Sequence, residues 1–230
     1  MSVKPVFHIR GPIEGLDAVQ VAIDSYDASL PRLAALGSND QWGTKTFLER
    51  PNHKDMLSMW DQAKRFQTTG EGKPFWIFTA EVEIPPSAAH DLPASVHIRT
   101  GEDGKTYLAV GSITLSEARF PEYLRQLFGK AEVKEALDGT TDFLYVEGLF
   151  TDPRAGSWSK GAGAALIQHA RRLTAETGHR ALHCDSFGGN DRKLIKYYES
   201  QGFSVVAEQE LVKPDGTKWP AAFYCMDVTK

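Results

Sequence analysis

The chain has 230 residues, of which 41% are apolar and 24% charged, and a formal net charge of −4. Those values describe a globular protein with a sizeable core, expected as a single domain over 1–230. They offer no basic field for a nucleic-acid backbone, and no segment approaches the ~18 consecutive apolar residues of a membrane helix.

PVFHIRG (5–11) reads as a short strand, and residues 14–36 alternate between helical patches and breaks. Met56, Leu57, Trp60 and Ala63 recur at helical spacing, which predicts a helix over 53–67. PFWIFTAEVEI (74–84) is a strand of aromatic and β-branched residues. SVHIRT and YLAVGSITLSEA, joined by GEDGKT, read as a hairpin. A helix is expected over 120–137. TDFLYVEGLFT (141–151) is apolar on both faces and so belongs at the centre of a sheet. The clearest helix runs over 160–177, with Ala162, Ala165, Leu166, His169, Ala170 and Leu173 on one face and Arg171 and Arg172 off it. The strand HRALHCDSF, a helix near 191–201 and two late strands complete an α/β or α+β order. Cys184 and Cys225 are too few for a disulfide framework, and MSVKPVFHIRGPIEG lacks a secretory core and cleavage site, so a cytoplasmic location is expected.

The stretch SWSKGAGAALIQHA (157–170) places glycines where a helix opens behind a central strand. The first amides of a helix have no internal partner and carry the positive end of its dipole, so a phosphate placed there satisfies both. Close packing of the helix on a sheet explains the small residues equally well. Three familiar motifs fail on spacing. A dinucleotide fingerprint would need Gly or Ala where Leu166 stands, a P-loop would need Lys in place of Ala162, and a nucleophile elbow would need Gly in place of Ser157.

W-S-K-G-A-G-A-A-L-I, followed by N-D-R-K-L-I-K-Y-Y-E-S-Q-G-F, resembles the GNAT superfamily of acyl-CoA-dependent N-acyltransferases. Gly161-Ala162-Gly163 match its turn motif, and Tyr198 to Gly202-Phe203 match its second motif. The resemblance covers about 141–206. It implies a mixed, mostly antiparallel sheet splayed after the family's fourth strand and flanked by helices, with residues 1–70 as a helical acceptor-side region. It also implies acetyl-CoA as acyl donor. Trp158, Ser159, Lys160, Gly161, Ala162, Gly163 and Ala164 would then face its diphosphate, and the backbone of Leu149, Phe150 and Thr151 its pantetheine arm. Three features depart from the family pattern. Trp158 stands where the family has Arg or Gln, the loop after Pro153 is longer, and Asn190, the family's pantetheine contact, is offset by one residue. Lys160 or Arg154 would assist the diphosphate in place of the missing Arg.

Direct attack of an amine on a thioester needs a base, an acid for the leaving thiolate and an oxyanion contact. Glu147, a carboxylate in an apolar strand, is the candidate base; its alternatives are a polar edge or an ion pair with an arginine. Tyr198 is the candidate acid under the resemblance, and a core aromatic otherwise; Tyr197 points ~100° away on a helix. Asp185 and Ser186 either bind acceptor or cap a loop, and Gln41 and Trp42 either line the acceptor pocket or pack. His169 is expected as a packed histidine. His183 and Cys184 point to opposite faces of a strand, which argues against a shared metal. The expected activity is acetyl transfer to a primary amine of a small molecule, by a monomer or homodimer, without metal, membrane or nucleic-acid partner. A peptide or protein N-acetyltransferase and a catalytically silent acyl-CoA-binding module are the alternatives.

Overall fold

The computed structural model describes residues 5–127, 129–137, 141–212 and 216–229. Eight strands form one sheet: β1 (Phe7–Arg10), β2 (Phe75–Ile84), β3 (Ile98–Thr100), β4 (Thr106–Glu117), β5 (Phe143–Thr151), β6 (Ala181–Phe187), β7 (Ser204–Val212) and β8 (Lys218–Asp227). Their order is β1-β2-β4-β5-β6-β8-β7, with β3 paired to β4. The helices are α1 (Ala18–Ala35), α2 (Asn39–Trp42), α3 (His53–Thr69), α4 (Ala131–Leu137), α5 (Ala162–Glu176) and α6 (Lys193–Ser200). The mixed, mostly antiparallel sheet flanked by helices is the expected one. Two compact units divide the chain, and their boundaries cut β4 after Thr114, β5 after Glu147 and α5 after His169.

The first unit contains Thr44–Thr114, Gly148–His169 and the chain up to Arg32. β1 pairs antiparallel with β2, Phe7 opposite Val82 and Arg10 opposite Thr79. β2 and β4 are buried almost throughout, as central strands are. Trp60 of α3 is 1% exposed, stacks on Phe47 and donates its indole N–H to Thr114 Oγ1 at 2.9 Å, so burial leaves no unmet donor. Truncating such an aromatic costs about 3–5 kcal/mol. Glu81, fully buried in β2, is satisfied by the Arg99 fork, with both N–O distances at 2.7 Å. At Gly111 a Cβ would stand 2.6 Å from the Phe150 carbonyl oxygen, so the close approach of β4 to the end of β5 demands glycine.

The second unit contains Leu33–Gly43, Leu115–Glu147 and the chain from Ala170. β5 pairs parallel with β6 only from Phe143–Ala181 to Tyr145–His183, although β5 continues to Thr151 and β6 to Phe187. This is the splay that the sequence implies. β6 pairs with β8 along its whole length, with Asp185 opposite Phe223 and Cys184 opposite Tyr224. Strand alternation therefore separates two faces. Tyr145, Glu147, His183, Asp185 and Phe223 lie on one, and Cys184, Ser186 and Tyr224 on the other. The first face is covered by the connection after β4, whose Leu124, Leu127 and Val133 share a core with Phe143, Tyr145 and Phe223. The second is covered by α6, which buries Ile195 and Tyr198.

Several elements differ from expectation. Residues 14–36 contain one continuous helix, α1, carried through Pro31 by a buried stripe that includes Ala18, Val21, Ala22, Tyr26 and Leu30. The helix expected over 120–137 is instead a 3-10 turn at Glu122–Leu127 followed by the short α4; Phe128 lies outside the described residues. α5 buries Ala162, Gly163, Leu166, Ile167, Ala170 and Thr174, a face rotated from the expected one. Gly163 and Thr174 are small enough to be enclosed, and the Thr174 hydroxyl is satisfied by the Ala170 carbonyl at 2.7 Å.

Candidate active site

In the first unit, β5 leads through Pro153–Ser159 to the start of α5. Asp152 caps this turn by accepting from the Arg154 amide at 2.9 Å. The Arg154 guanidinium is committed to the Asp152 carboxylate and to the Ser95 carbonyl at 2.9 Å, so it is not the diphosphate partner considered above. Lys160 is exposed and remains as the nearby cation of the turn sequence. Gly161 adopts φ +98°, a conformation that disfavours any Cβ, and a Cβ there would also press on Phe7 at 3.3 Å. The amides of Gly161, Ala162, Gly163 and Ala164 open α5 with no carbonyl four residues back inside the helix. Those orphan donors, on a backbone bare at Gly161, fit an anionic group. The Ser159 hydroxyl is turned onto the Gly156 carbonyl at 3.0 Å. Trp158 lines a groove of about 800 Å³ together with Pro5, His8, Pro86, Lys105 and Ser157. Phe150 is buried edge-on to Tyr26, while Leu149 and Thr151 are half-buried.

In the second unit, Glu147 has a side chain 7% exposed. Its Oε1 accepts the Ser116 hydroxyl at 2.7 Å and pairs with Arg119. The arginine alternative is therefore present, but it does not remove the perturbation: burial pushes the carboxyl up, against the lowering by Ser116 and Arg119. Asp185 does not cap a loop. Its Oδ1 accepts from Tyr123 at 3.0 Å and from Tyr145, and its Oδ2 accepts from Tyr123 at 3.1 Å. Burial pushes the Asp185 carboxyl up to about 6, against the two tyrosine hydroxyls, with the Glu147 charge adding to the rise. Ser116, Arg119, Tyr123 and Tyr145 were not singled out in the sequence. Tyr145 was within reach, because it stands two residues before Glu147 and must share its face. The others are separated from their carboxylates by stretches that carry no local signal.

Tyr198 lies under α6 on the opposite face of the β6–β8 ladder. Its ring is 5.1 Å from Tyr224 and 5.6 Å from Phe203. Burial raises its phenol well above the ordinary value, which keeps it protonated at neutral pH. Ser186 shares that face and bonds the Tyr224 hydroxyl at 2.8 Å, so it does not join Asp185. Asn190, Asp191 and Arg192 form a run of left-handed residues (φ 53°, 53° and 59°) before α6. Gln41 and Trp42 lie in α2, where the Gln41 carbonyl accepts the Trp219 indole at 3.3 Å. His169 packs edge-on to Phe78 as expected. His183 is fully buried, stacked on Phe223, and donates from Nδ1 to the Tyr224 carbonyl at 3.1 Å. Burial lowers its pKa to about 4, so it is a neutral core histidine. Among the described residues, no group of three His, Cys, Asp or Glu side chains could hold a metal ion.

A family model described as acetyltransferase (GNAT) family matches residues 58–203, more than half the chain, and the chain belongs to that family. It is a GNAT-type acetyltransferase with acetyl-CoA as acyl donor. Similar solved structures include a GCN5-related N-acetyltransferase from Kribbella flavida (12% identity, 96% of this chain and 97% of that one, TM-score 0.54). Another is yncA of Salmonella typhimurium, an assigned acetyltransferase seen with its cofactor acetyl-CoA (15%, 96% and 94%, 0.52). A third is the ribosomal-protein-S18-alanine N-acetyltransferase of Escherichia coli (12%, 97% and 94%, 0.50). At these identities the likeness is one of fold. No curated protein sequence matches significantly. Among the described residues, no helix is long and apolar enough to cross a membrane.

Proposed function

We propose that the chain transfers the acetyl group of acetyl-CoA to the primary amine of a small molecule, with 141–206 as its acetyl-CoA-binding core. The orphan amides of Gly161 to Ala164, with Lys160, hold the diphosphate; the backbone of Leu149, Phe150 and Thr151 and the side chain of Asn190 steady the pantetheine arm. Acetyl-CoA supplies the thioester. The amine arrives as an ammonium ion and Glu147 takes its proton. The free nitrogen attacks the acetyl carbonyl and sheds its second proton to water, the C–S bond breaks, and the departing thiolate takes the phenolic proton of Tyr198. Glu147 then returns a proton to solvent and Tyr198 recovers one, leaving an amide and free coenzyme thiol.

The observation that carries this reading is the buried Glu147 carboxylate, raised by desolvation yet kept competent by Ser116 and Arg119. The protonated, raised phenol of Tyr198 supports the complementary role. The net charge of −4 favours a cationic amine over an acidic acceptor. The test follows thiol release from acetyl-CoA with a panel of small primary amines and a panel of peptides. Release with small amines and not peptides is expected. Release confined to peptides would overturn the small-molecule assignment, and tight acetyl-CoA binding with no release in either panel would make the chain a silent binding module.

A further inference from the structure

β4 and β5 are direct antiparallel neighbours: the Ala118 amide donates to the Phe143 carbonyl at 3.1 Å, and the Asp152 amide to the Val110 carbonyl at 2.9 Å. Strands so paired are ordinarily joined by about two to five residues. Here residues 118–142 intervene, and they are folded down by Leu124, Leu127 and Val133 onto the face that bears Glu147 and Asp185. The same segment delivers Arg119 to Glu147 and Tyr123 to Asp185. Tyr123 is 47% exposed although its hydroxyl is turned inward onto the carboxylate. A large aromatic half in water, ending on a carboxylate, is placed to touch an incoming molecule.

We propose that the 119–124 strap forms the acceptor wall, and that Asp185, presented by Tyr145 and Tyr123, takes the positive charge of a cationic amine lacking a neighbouring carboxylate. This deepens the proposed function and rests on the placement of Glu147 as its base. An ionised carboxylate offers about four acceptor positions. The two tyrosines supply two protons to Asp185, that of Tyr123 shared between Oδ1 and Oδ2, so Oδ2 keeps acceptor capacity, and among the described residues Glu147 Oε2 has no partner beside the Ser116 and Arg119 contacts of Oε1. Among the described residues, Glu147 is paired with Arg119, whose side chain is half exposed, and Asp185 with no cation. The balance is one negative charge, which complements a single ammonium and repels a carboxylate beside the amine. Tyr145, fully buried, fixes the orientation of Asp185 and acts as a positioning residue. Tyr198 works from the opposite face, so acceptor and leaving group need not compete for one wall.

The test uses the full chain with Asp185→Asn and Tyr123→Phe, and 1,4-diaminobutane, n-butylamine and 4-aminobutanoate as probes. Calorimetry on the coenzyme A complex reads amine binding independently of turnover, and thiol release reads kcat and KM separately. The wild type should bind diaminobutane more tightly than aminobutanoate. Asp185→Asn should weaken diaminobutane about tenfold or more and flatten the preference, with acetyl-CoA affinity unchanged. Tyr123→Phe should raise KM severalfold and leave kcat. A wild type that prefers aminobutanoate, or variants that bind the three amines as the wild type does, would overturn the inference. Should Asp185→Asn not fold, Tyr123→Phe decides alone. Charge-selective binding without thiol release would keep the inference and sink the enzymatic reading, so the two failures are separable.

Discussion

The two compact units treat charge differently. In the first, each buried carboxylate is matched inside the unit: Glu81 by Arg99, and Asp152 by Arg154. That unit also presents the main-chain amides that open α5. In the second, among the described residues, Glu147 is paired with Arg119 while Asp185 is held by neutral phenols and no cation. The boundary between these regimes falls within β5, between Glu147 and Gly148. Balanced side chains leave backbone dipoles to meet an anion, and an acidic surplus is suited to a cation. An anionic coenzyme and a cationic acceptor ask for that division.

The contrast can be broken from either end. The largest effect is expected at Glu147→Gln, which should lower kcat by about 10²–10⁴-fold with acetyl-CoA affinity unchanged by calorimetry. An equal loss of affinity would make Glu147 structural. Tyr198→Phe should lower kcat roughly a hundredfold while sparing affinity, and an unchanged rate would remove its role as acid. Lys160→Glu, on an exposed side chain, should weaken acetyl-CoA roughly tenfold, with the loss shrinking as salt is added. Affinity indifferent to that reversal would move the diphosphate away from the turn.

The smallest effect lies in stability against pH. His183 titrates near 4 folded against an ordinary 6.5, so the unfolded chain takes its proton first and stability falls as pH drops from 6.5 towards 4. Asp185 titrates near 6 folded against 3.8, so the folded chain takes that proton first and stability rises over nearly the same window. The two slopes oppose each other. Asp185→Asn should therefore lose melting temperature with acid more steeply than the wild type between about pH 6 and 4. Parallel curves would show that one of these groups is not perturbed as described.

Most of the sheet was legible because its strands are apolar runs punctuated by turns, and the opening of α5 because Gly161 stands where φ is positive. The buried face of α5 was misjudged because enclosure there depends on size: Gly163 and Thr174 are inside, while Leu173 is only half-buried. The 118–142 connection was opaque. Its helical pattern is interrupted, and its contacts reach Glu147 and Asp185 across long sequence separations that no periodicity encodes. The coenzyme half of the proposed site rests on local motifs. The carboxylate half depends on tertiary partners, and only Glu147, Asp185 and Tyr198 could be picked out beforehand.

The length of that connection has an evolutionary corollary. The entropy of closing a loop grows slowly, about 0.6 kcal/mol per doubling, whereas each buried leucine or valine returns about 1.5–3 kcal/mol. With Leu124, Leu127 and Val133 as its own footing, the excursion behaves as an exchangeable cassette spliced between two strands. Chimeras that trade this cassette between chains sharing the sheet, with Arg119 retained, should keep thioester turnover while changing which amines are accepted. Selectivity can thus diversify without disturbing the machinery beneath it.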